Sequence, residues 1–257
     1  MEERCNDSNS RSTLYVVGTG PGGRPHMTAA AVAALENSDV VVGYATYLEQ
    51  IPELLGGKKI VSTGMTQEVD RCRMAVELAE SGRSVSVVSG GDPGIYAMAG
   101  LVIEIAESRD SRINIEIIPG IAAINACASR LGAPLMTDFA AISLSDLLTP
   151  WEKITQRLEA AASADFVIAL YNPKSKRRTE HIASARDIML KHRGAETPVG
   201  IVTGATRDNE TVTLTTLGEM LSADIGMQST VIIGNSTTRR WRDFLITPRG
   251  YDRKYDI

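Results

Sequence analysis

Gly18-Thr19-Gly20-Pro21-Gly22-Gly23 follows the apolar run Leu14-Tyr15-Val16-Val17, and this succession decides the fold class. A short apolar run that ends in glycines predicts a buried strand followed by a tight turn. The glycine string also matches G-x-G-x-x-G, the pattern of strand-to-helix loops that bind dinucleotides. The residues around the loop must show whether the glycines serve such a ligand.

A dinucleotide site also needs a helix that starts at the loop and a carboxylate at the end of the second strand. Pro21 and Pro25 bracket the loop and disfavour helix, so the helix is predicted to start near Thr28, a candidate N-cap. Asp39 begins the second strand, whose far end is Gly43-Tyr44. We therefore expect bare backbone to approach another ligand; a turn without a ligand and an NAD site remain the alternatives.

Strand and helix patterns alternate along the chain, which predicts an α/β fold. Two series meet near Pro119-Gly120, so we expect two α/β domains with mostly parallel or mixed sheets and a ligand cleft between them. The predicted limits are a flexible tail at 1–12, an N-terminal domain at 13–119 and a C-terminal domain at 120–257. The predicted helices include 28–37, 68–81 with Gly82 at its end, and 177–192 with Gly194 at its end.

Composition and charge exclude several classes of partner. The 257 residues carry a net charge of −4, and Lys and Arg are dispersed, which gives no indication of a nucleic-acid partner. No apolar run approaches the roughly 18 residues of a membrane span, and the polar first residues do not resemble a signal peptide. We therefore expect a cytoplasmic protein.

Cysteine and histidine patterns predict neither a disulfide framework nor a metal site. Cys5, Cys72 and Cys127 form no C-x-x-C pair, and Cys127 lies in an apolar helical stretch typical of a buried core. The three histidines lack metal-ligand spacing.

Two further loops follow predicted strands and contain small residues. In Ser89–Tyr96, SGGDPGIY, Pro93 restrains Asp92 to an extended backbone, which aims its carboxylate in a fixed direction. A carboxylate there suits amino or hydroxyl groups of a ligand, although a turn in which Asp92 binds its own backbone is the alternative. The third loop is Ile118–Ala123, IPGIAA. Loops at the carboxyl ends of neighbouring parallel strands are a common ligand site.

The ordered set GTGPGG, SGGDPGIY, IPGIAAINA and ALYNPKSKRR resembles the tetrapyrrole methylases over about residues 13–250. The stretches DFAAISLSDLLTPW (138–151) and GYATYLEQI (43–51) resemble, within that family, the precorrin-3B C-17 methyltransferases of vitamin B12 synthesis. The resemblance implies two α/β domains with a central cleft, S-adenosylmethionine as methyl donor, a tetrapyrrole substrate, methylation of a ring carbon with ring contraction, and a homodimer.

The resemblance also implies a set of residues that contact S-adenosylmethionine, namely Pro21, Gly90, Gly91, Asp92, Ile95, Ala122, Ala123, Tyr171 and Ala205. Tyr171 and Ala205 depart from the residues of some relatives.

The many carboxylates of the substrate need cations, and Lys174, Arg177 and Arg178 follow a strand end, so they are the candidate substrate-binding residues; a solvated helix start is the alternative. Ring contraction needs proton transfer, for which Asp138, Ser145, Asp146 and Tyr171 qualify by type alone, and the sequence identifies no catalytic residue. A methylase acting at another ring carbon, an NAD-dependent oxidoreductase and a cofactor-binding module without catalysis remain alternatives.

Overall fold

The computed structural model describes residues 12–64 and 66–256. Residues 1–11 of the predicted tail, with Cys5, lie outside the described residues. The chain divides into two compact units, the first ending at Ala122 and the second beginning at Ala123. The domain limits 13–119 and 120–257 stay a prediction.

The first unit contains one parallel sheet with helices on both faces. Its strands are β1 (Thr13–Gly18), β2 (Val40–Tyr44), β3 (Lys59–Thr63), β4 (Val85–Ser89) and β5 (Asn114–Ile118). Its helices are α1 (Ala29–Glu36), α2 (Ala45–Leu48), α3 (Glu68–Glu80) and α4 (Ala99–Ser108), with short 3₁₀ turns at Arg24–His26 and Pro52–Leu54. The strands pair in the order β3-β2-β4-β1-β5, all parallel.

Alternate side chains of β1 enter two hydrophobic clusters, one on each face of this sheet. Leu14 and Val16 pack with residues of α3 and α4. Val17 packs with residues of α1 and α2. A strand buried on both faces must be apolar throughout, which explains the continuous run at 14–17. β3 was not predicted from the sequence, because this edge strand is mostly exposed and its side chains are mixed.

The second unit contains a mixed sheet. Its main elements are α5 (Ala123–Leu131), β6 (Gly132–Ala133), β7 (Phe139–Ser143), α6 (Trp151–Ser163), β8 (Val167–Tyr171), α7 (His181–Leu190), β9 (Pro198–Thr203), β10 (Thr211–Thr216), β11 (Ser229–Ile233), β12 (Arg239–Trp241) and β13 (Phe244–Ile246). The larger sheet has the order β10-β9-β11-β8-β7, in which only the β7–β8 pair is parallel. The α/β fold is confirmed, but in this unit the pairing is mostly antiparallel.

Helix α7 corrects one sequence prediction. The expected helix ran from Arg177 to His192 with Gly194 at its end, but α7 begins at His181 and ends at Leu190. The backbone N–H of Ser175 donates to the carbonyl of Arg178 (2.9 Å), and the N–H of Arg178 donates to the Ser175 hydroxyl (3.1 Å). This local turn occupies the backbone groups that an earlier helical turn would need.

Candidate functional site

Three glycine loops lie side by side at one edge of the first sheet. β1 pairs with β4 on one side and with β5 on the other, all parallel, so the loops after Gly18, Ser89 and Ile118 leave the same edge. Carboxyl ends of parallel strands are where α/β proteins place ligands. The predicted grouping of the three loops is therefore present within the first unit.

Backbone hydrogen bonds join the first two loops. The N–H of Thr19 donates to the carbonyl of Ser89 (2.9 Å), and the Thr19 hydroxyl approaches the same oxygen (3.1 Å). Gly20 and Gly91 exchange both of their backbone bonds, at 3.1 and 2.7 Å, and both have positive φ. Glycine adopts this backbone conformation without the cost that a side chain would add.

Gly18 and Gly120 have no side chain because the loops touch each other there. A Cβ on Gly120 would collide with the carbonyl oxygen of Gly91 and lie 2.8 Å from the carbonyl carbon and oxygen of Gly18. A Cβ on Gly18 would lie 2.7 Å from the Gly120 nitrogen. Contacts between the loops thus require glycine at these two positions. The sequence had indicated instead that the glycines make room for a ligand.

The Asp92 carboxylate joins the second loop to the third. One oxygen accepts from the N–H of Gly94 (2.8 Å), and the other accepts from the N–H of Gly120 (3.2 Å). The first contact is the Asx turn considered as the alternative role, whereas the second spans to another strand end. Each oxygen retains a further lone pair, so a ligand can still be bound.

The tip of this loop presents an apolar surface. Ile95 is 38% and Tyr96 55% exposed, and Tyr96 has a φ of 52°. Pro21 of the first loop is buried. Ile95 is therefore accessible for contact with a ligand, as its proposed role requires.

Aromatic residues of the segment Gly43–Ile51 support the second loop, which sequence reasoning did not anticipate. A Cβ on Gly90 would lie 2.6 Å from the ring of Tyr47, so Gly90 makes room for that ring. Tyr47 meets Tyr44 edge-on, with ring centroids 5.5 Å apart, and the buried Arg71 guanidinium lies 5.8 Å from the Tyr44 ring. In the sequence the two tyrosines and Gly90 stand in separate motifs, so the contact between these motifs could not be predicted.

The helix after the first loop starts where the prolines predicted. Thr28 caps α1 by accepting from the N–H of Ala31 (3.1 Å), and its hydroxyl donates to the carbonyl of Pro119 (3.2 Å). A 3₁₀ turn at Arg24–His26 separates Gly23 from α1. β2 ends at Tyr44, not at a carboxylate. A dinucleotide site needs a helix that starts at the glycines and a carboxylate at the end of the second strand, and α1 and β2 provide neither.

In the second unit, the candidate residues Tyr171 and Ala205 belong to one edge of the larger sheet. β8 and β9 both run antiparallel to the intervening β11, so their carboxyl ends, Tyr171 and Thr203, lie on the same side. The Tyr171 hydroxyl accepts from the N–H of Ile124 (2.9 Å), next to Ala123 at the start of α5. Ala205 is buried two residues beyond β9, and Ala122, the last residue of the first unit, is buried too.

Arg178 ties together the loops that follow β7 and β8. Its guanidinium donates to the carbonyl of Asn172 (2.8 Å) and to the Ser145 hydroxyl (3.3 Å), and it lies 3.8 Å from the Asp146 carboxylate. Its side chain is only 11% exposed. Asp146 also contacts His181 (3.1 Å), and it does not cap α6, whose N-cap is Pro150. Arg178 thus positions these loops in addition to any role toward substrate.

The other polar candidates lie at the surface or line cavities. Arg177 is exposed, and Lys174 lines a cavity of about 260 Å³ together with Glu180, which precedes α7, and Ile182 of α7. Asp138 is exposed and lines a second cavity, of about 370 Å³, together with Arg249. The structure does not bring Asp138 into the group formed by Ser145 and Asp146.

Burial controls the ionisation of both described cysteines. It raises the pKa of Cys72 to about 11 and that of Cys127 to about 11. Cys127 is 3% exposed, which confirms its predicted place in the core. A thiol with such a pKa is a poor nucleophile at neutral pH, so these two side chains serve packing.

Residues 12–64 and 66–256 include no helix with the length and apolar character of a membrane span.

Comparison with known proteins identifies curated relatives. The chain is 53% identical over 251 residues to the cobalt-factor III methyltransferase of Priestia megaterium, covering 96% of this chain and 46% of that protein. It is 48% identical over 238 residues to the probable cobalt-factor III C(17)-methyltransferase of Salmonella typhimurium, covering 93% of this chain and 99% of that protein. The chain thus spans about half of the first relative and almost all of the second.

A solved structure and a family model agree with these relatives. The crystal structure of the methyltransferase CobJ superposes with a TM-score of 0.86 at 35% identity, covering 92% of this chain and all of that one. The family model of the tetrapyrrole (corrin/porphyrin) methylases matches residues 13–221. With the strand-end glycine loops in the order that the resemblance requires, the chain belongs to the tetrapyrrole methylases.

Proposed function

We propose that this protein is an S-adenosylmethionine-dependent methyltransferase of cobalamin biosynthesis. It transfers a methyl group to C-17 of precorrin-3B or of its cobalt-containing counterpart, and contracts the ring. The observation that carries the proposal is the 48% identity along 99% of the Salmonella C(17)-methyltransferase.

The glycine loops suit a sulfonium ligand. Gly18–Gly23, Ser89–Tyr96 and Ile118–Ala123 together contain one charged residue, Asp92, and it is negative. A carboxylate among backbone dipoles attracts a cationic methyl donor. Methyl transfer from an already activated sulfonium depends mainly on positioning, and tightly interlocked loops supply a rigid support for it.

The proposed contacts of S-adenosylmethionine fall into two groups. Pro21, Gly90, Gly91, Asp92, Ile95 and Ala122 belong to the first unit, and Ala123, Tyr171 and Ala205 belong to the second. Asp92→Asn should weaken S-adenosylmethionine binding in calorimetry, because it removes the charge that attracts the sulfonium and keeps one acceptor oxygen. Asp70→Asn, on the exposed face of α3, is the matched control.

Carboxylates of the tetrapyrrole need cationic partners, for which we propose Lys174, Arg177 and Arg178. Arg177 is the most exposed of them and can turn toward a substrate at little cost. Arg177→Ala should reduce tetrapyrrole affinity and leave S-adenosylhomocysteine affinity unchanged. Equal tetrapyrrole affinity of this variant and the parent would remove Arg177 from the proposal.

The activity is tested by incubating the purified chain with S-adenosylmethionine and precorrin-3B, or with its cobalt complex. Mass spectrometry and NMR should show one added methyl group, at C-17 of a contracted ring. Methylation at another carbon would indicate a different methylase of the same family. Tight binding of NAD with no binding of S-adenosylhomocysteine would overturn the proposal in favour of an oxidoreductase.

A homodimer and a cytoplasmic location form part of this proposal. Analytical ultracentrifugation should give twice the mass of the chain, and cell fractionation should recover it without membranes.

A further inference from the structure

Two adjacent leucines between β7 and α6 are almost fully in solvent. Leu147 is 78% and Leu148 93% exposed. Isolated exposed leucines are common at protein surfaces, but a contiguous exposed pair creates an apolar patch that favours contact with a ligand or partner. The pair is therefore a candidate contact surface for a ligand or partner.

The segment that carries the leucines is fastened at both ends. Before them, Asp146 binds His181 (3.1 Å) and lies 3.8 Å from Arg178. After them, the ring of Trp151 packs against the His181 ring, with centroids 4.0 Å apart. Because these contacts anchor the segment before any ligand arrives, binding to the leucines costs little ordering entropy.

The basic stretch that ends in Arg178 and the strand that ends at a proposed cofactor contact adjoin this segment. Arg178, which contacts Ser145 and Asp146, directly follows the exposed Lys176 and Arg177. β7, from which the segment departs, pairs in parallel with β8, which ends at Tyr171. The surroundings thus combine an apolar pair, positive charge and a strand end proposed to contact the methyl donor.

We propose that Leu147 and Leu148 form a substrate subsite that packs against the apolar face of the tetrapyrrole ring, while Lys176 and Arg177 meet its carboxylates. A tetrapyrrole is a flat apolar ring with an anionic rim, which this pattern of leucines and cations complements. The inference rests on the proposed function and deepens it. Asp146, His181 and Arg178 act here as positioning residues that hold the leucines in place.

The test compares the double variant Leu147→Ser/Leu148→Ser with the parent protein. The control is Val69→Ser, which alters an apolar side chain 48% exposed on α3. Since all three side chains are exposed, both variants should keep the parent Tm. Titration with the cobalt complex of precorrin-3B should show affinity reduced about tenfold or more in the double variant only, because apolar contact area is lost. Calorimetry should show unchanged S-adenosylhomocysteine affinity.

Three results would overturn the inference. Parent-like tetrapyrrole affinity in the double variant would remove the leucines from the subsite. Parent-like affinity together with a dissociated oligomer in ultracentrifugation would show that a second copy of the chain covers them. If the parent protein itself binds no tetrapyrrole, both the proposed function and the subsite fail. If the parent protein methylates the tetrapyrrole while the double variant keeps parent-like affinity, only the subsite fails.

Discussion

Gly120→Ala should be among the most damaging single-methyl additions in this protein. The new Cβ would collide with the carbonyl oxygen of Gly91 and lie 2.8 Å from two backbone atoms of Gly18. All these neighbours are main chain in strand-end loops, so no side-chain rotation can relieve the contact. Overpacking of a rigid site typically costs about 1–3 kcal/mol, and we expect about 3 kcal/mol here.

The matched control is Gly100→Ala in helix α4. A Cβ there meets nothing within 4 Å, and alanine is the better helix former by about 0.5–1 kcal/mol. The same chemical change is therefore expected to have opposite signs at the two positions. Urea unfolding followed by circular dichroism measures both, and a Tm shift of about 2–4 °C per kcal/mol provides a second readout.

The reasoning on Gly120 is refuted if Gly120→Ala unfolds at the parent midpoint. It is also refuted if the variant is stable and loses only S-adenosylhomocysteine affinity, because the glycine would then serve the ligand and not the neighbouring loops.

Three further changes test other contacts. Arg178→Lys should lower the free energy of unfolding by about 1.5–3 kcal/mol, because lysine cannot reproduce the contacts of Arg178 to two loops. Arg177→Ala should change it by less than about 0.5 kcal/mol. Equal effects of the two variants in urea titrations would contradict the proposed role of Arg178 in joining the loops. Thr28→Ala should cost about 1 kcal/mol through loss of the α1 cap, and Thr28→Ser should restore most of it. Folded-state pKa values of about 11 for Cys72 and Cys127, against 9.0 when unfolded, predict that stability falls between about pH 9 and 11, because the unfolded thiols release protons first. The slope should approach about 1.4 kcal/mol per pH unit for each thiol, and Cys127→Ala should halve the combined slope of the two thiols.

Local signals in the sequence determined much of the first unit. The apolar run at 14–17 predicted a strand buried on both faces, and the two prolines predicted the late start of α1 at its Thr28 cap. Gly82 was predicted to end α3, and it follows that helix with a φ of 90°. These features depend on a few neighbouring residues, so sequence patterns identify them.

Only the tertiary structure decided features that join distant segments. An apolar strand pattern encodes burial and not direction, so the antiparallel order of β9, β11 and β8 could not be derived from it. Gly18 and Gly120 are required by each other, although they are 102 positions apart in the sequence, because folding presses their loops together. Arg178 likewise stands in a basic run typical of a solvated surface, yet its side chain is only 11% exposed and contacts a loop 33 residues earlier. The sequence by itself determined where strands end in glycine; the packing of those ends determined which glycines interlock and which side chains remain for a ligand.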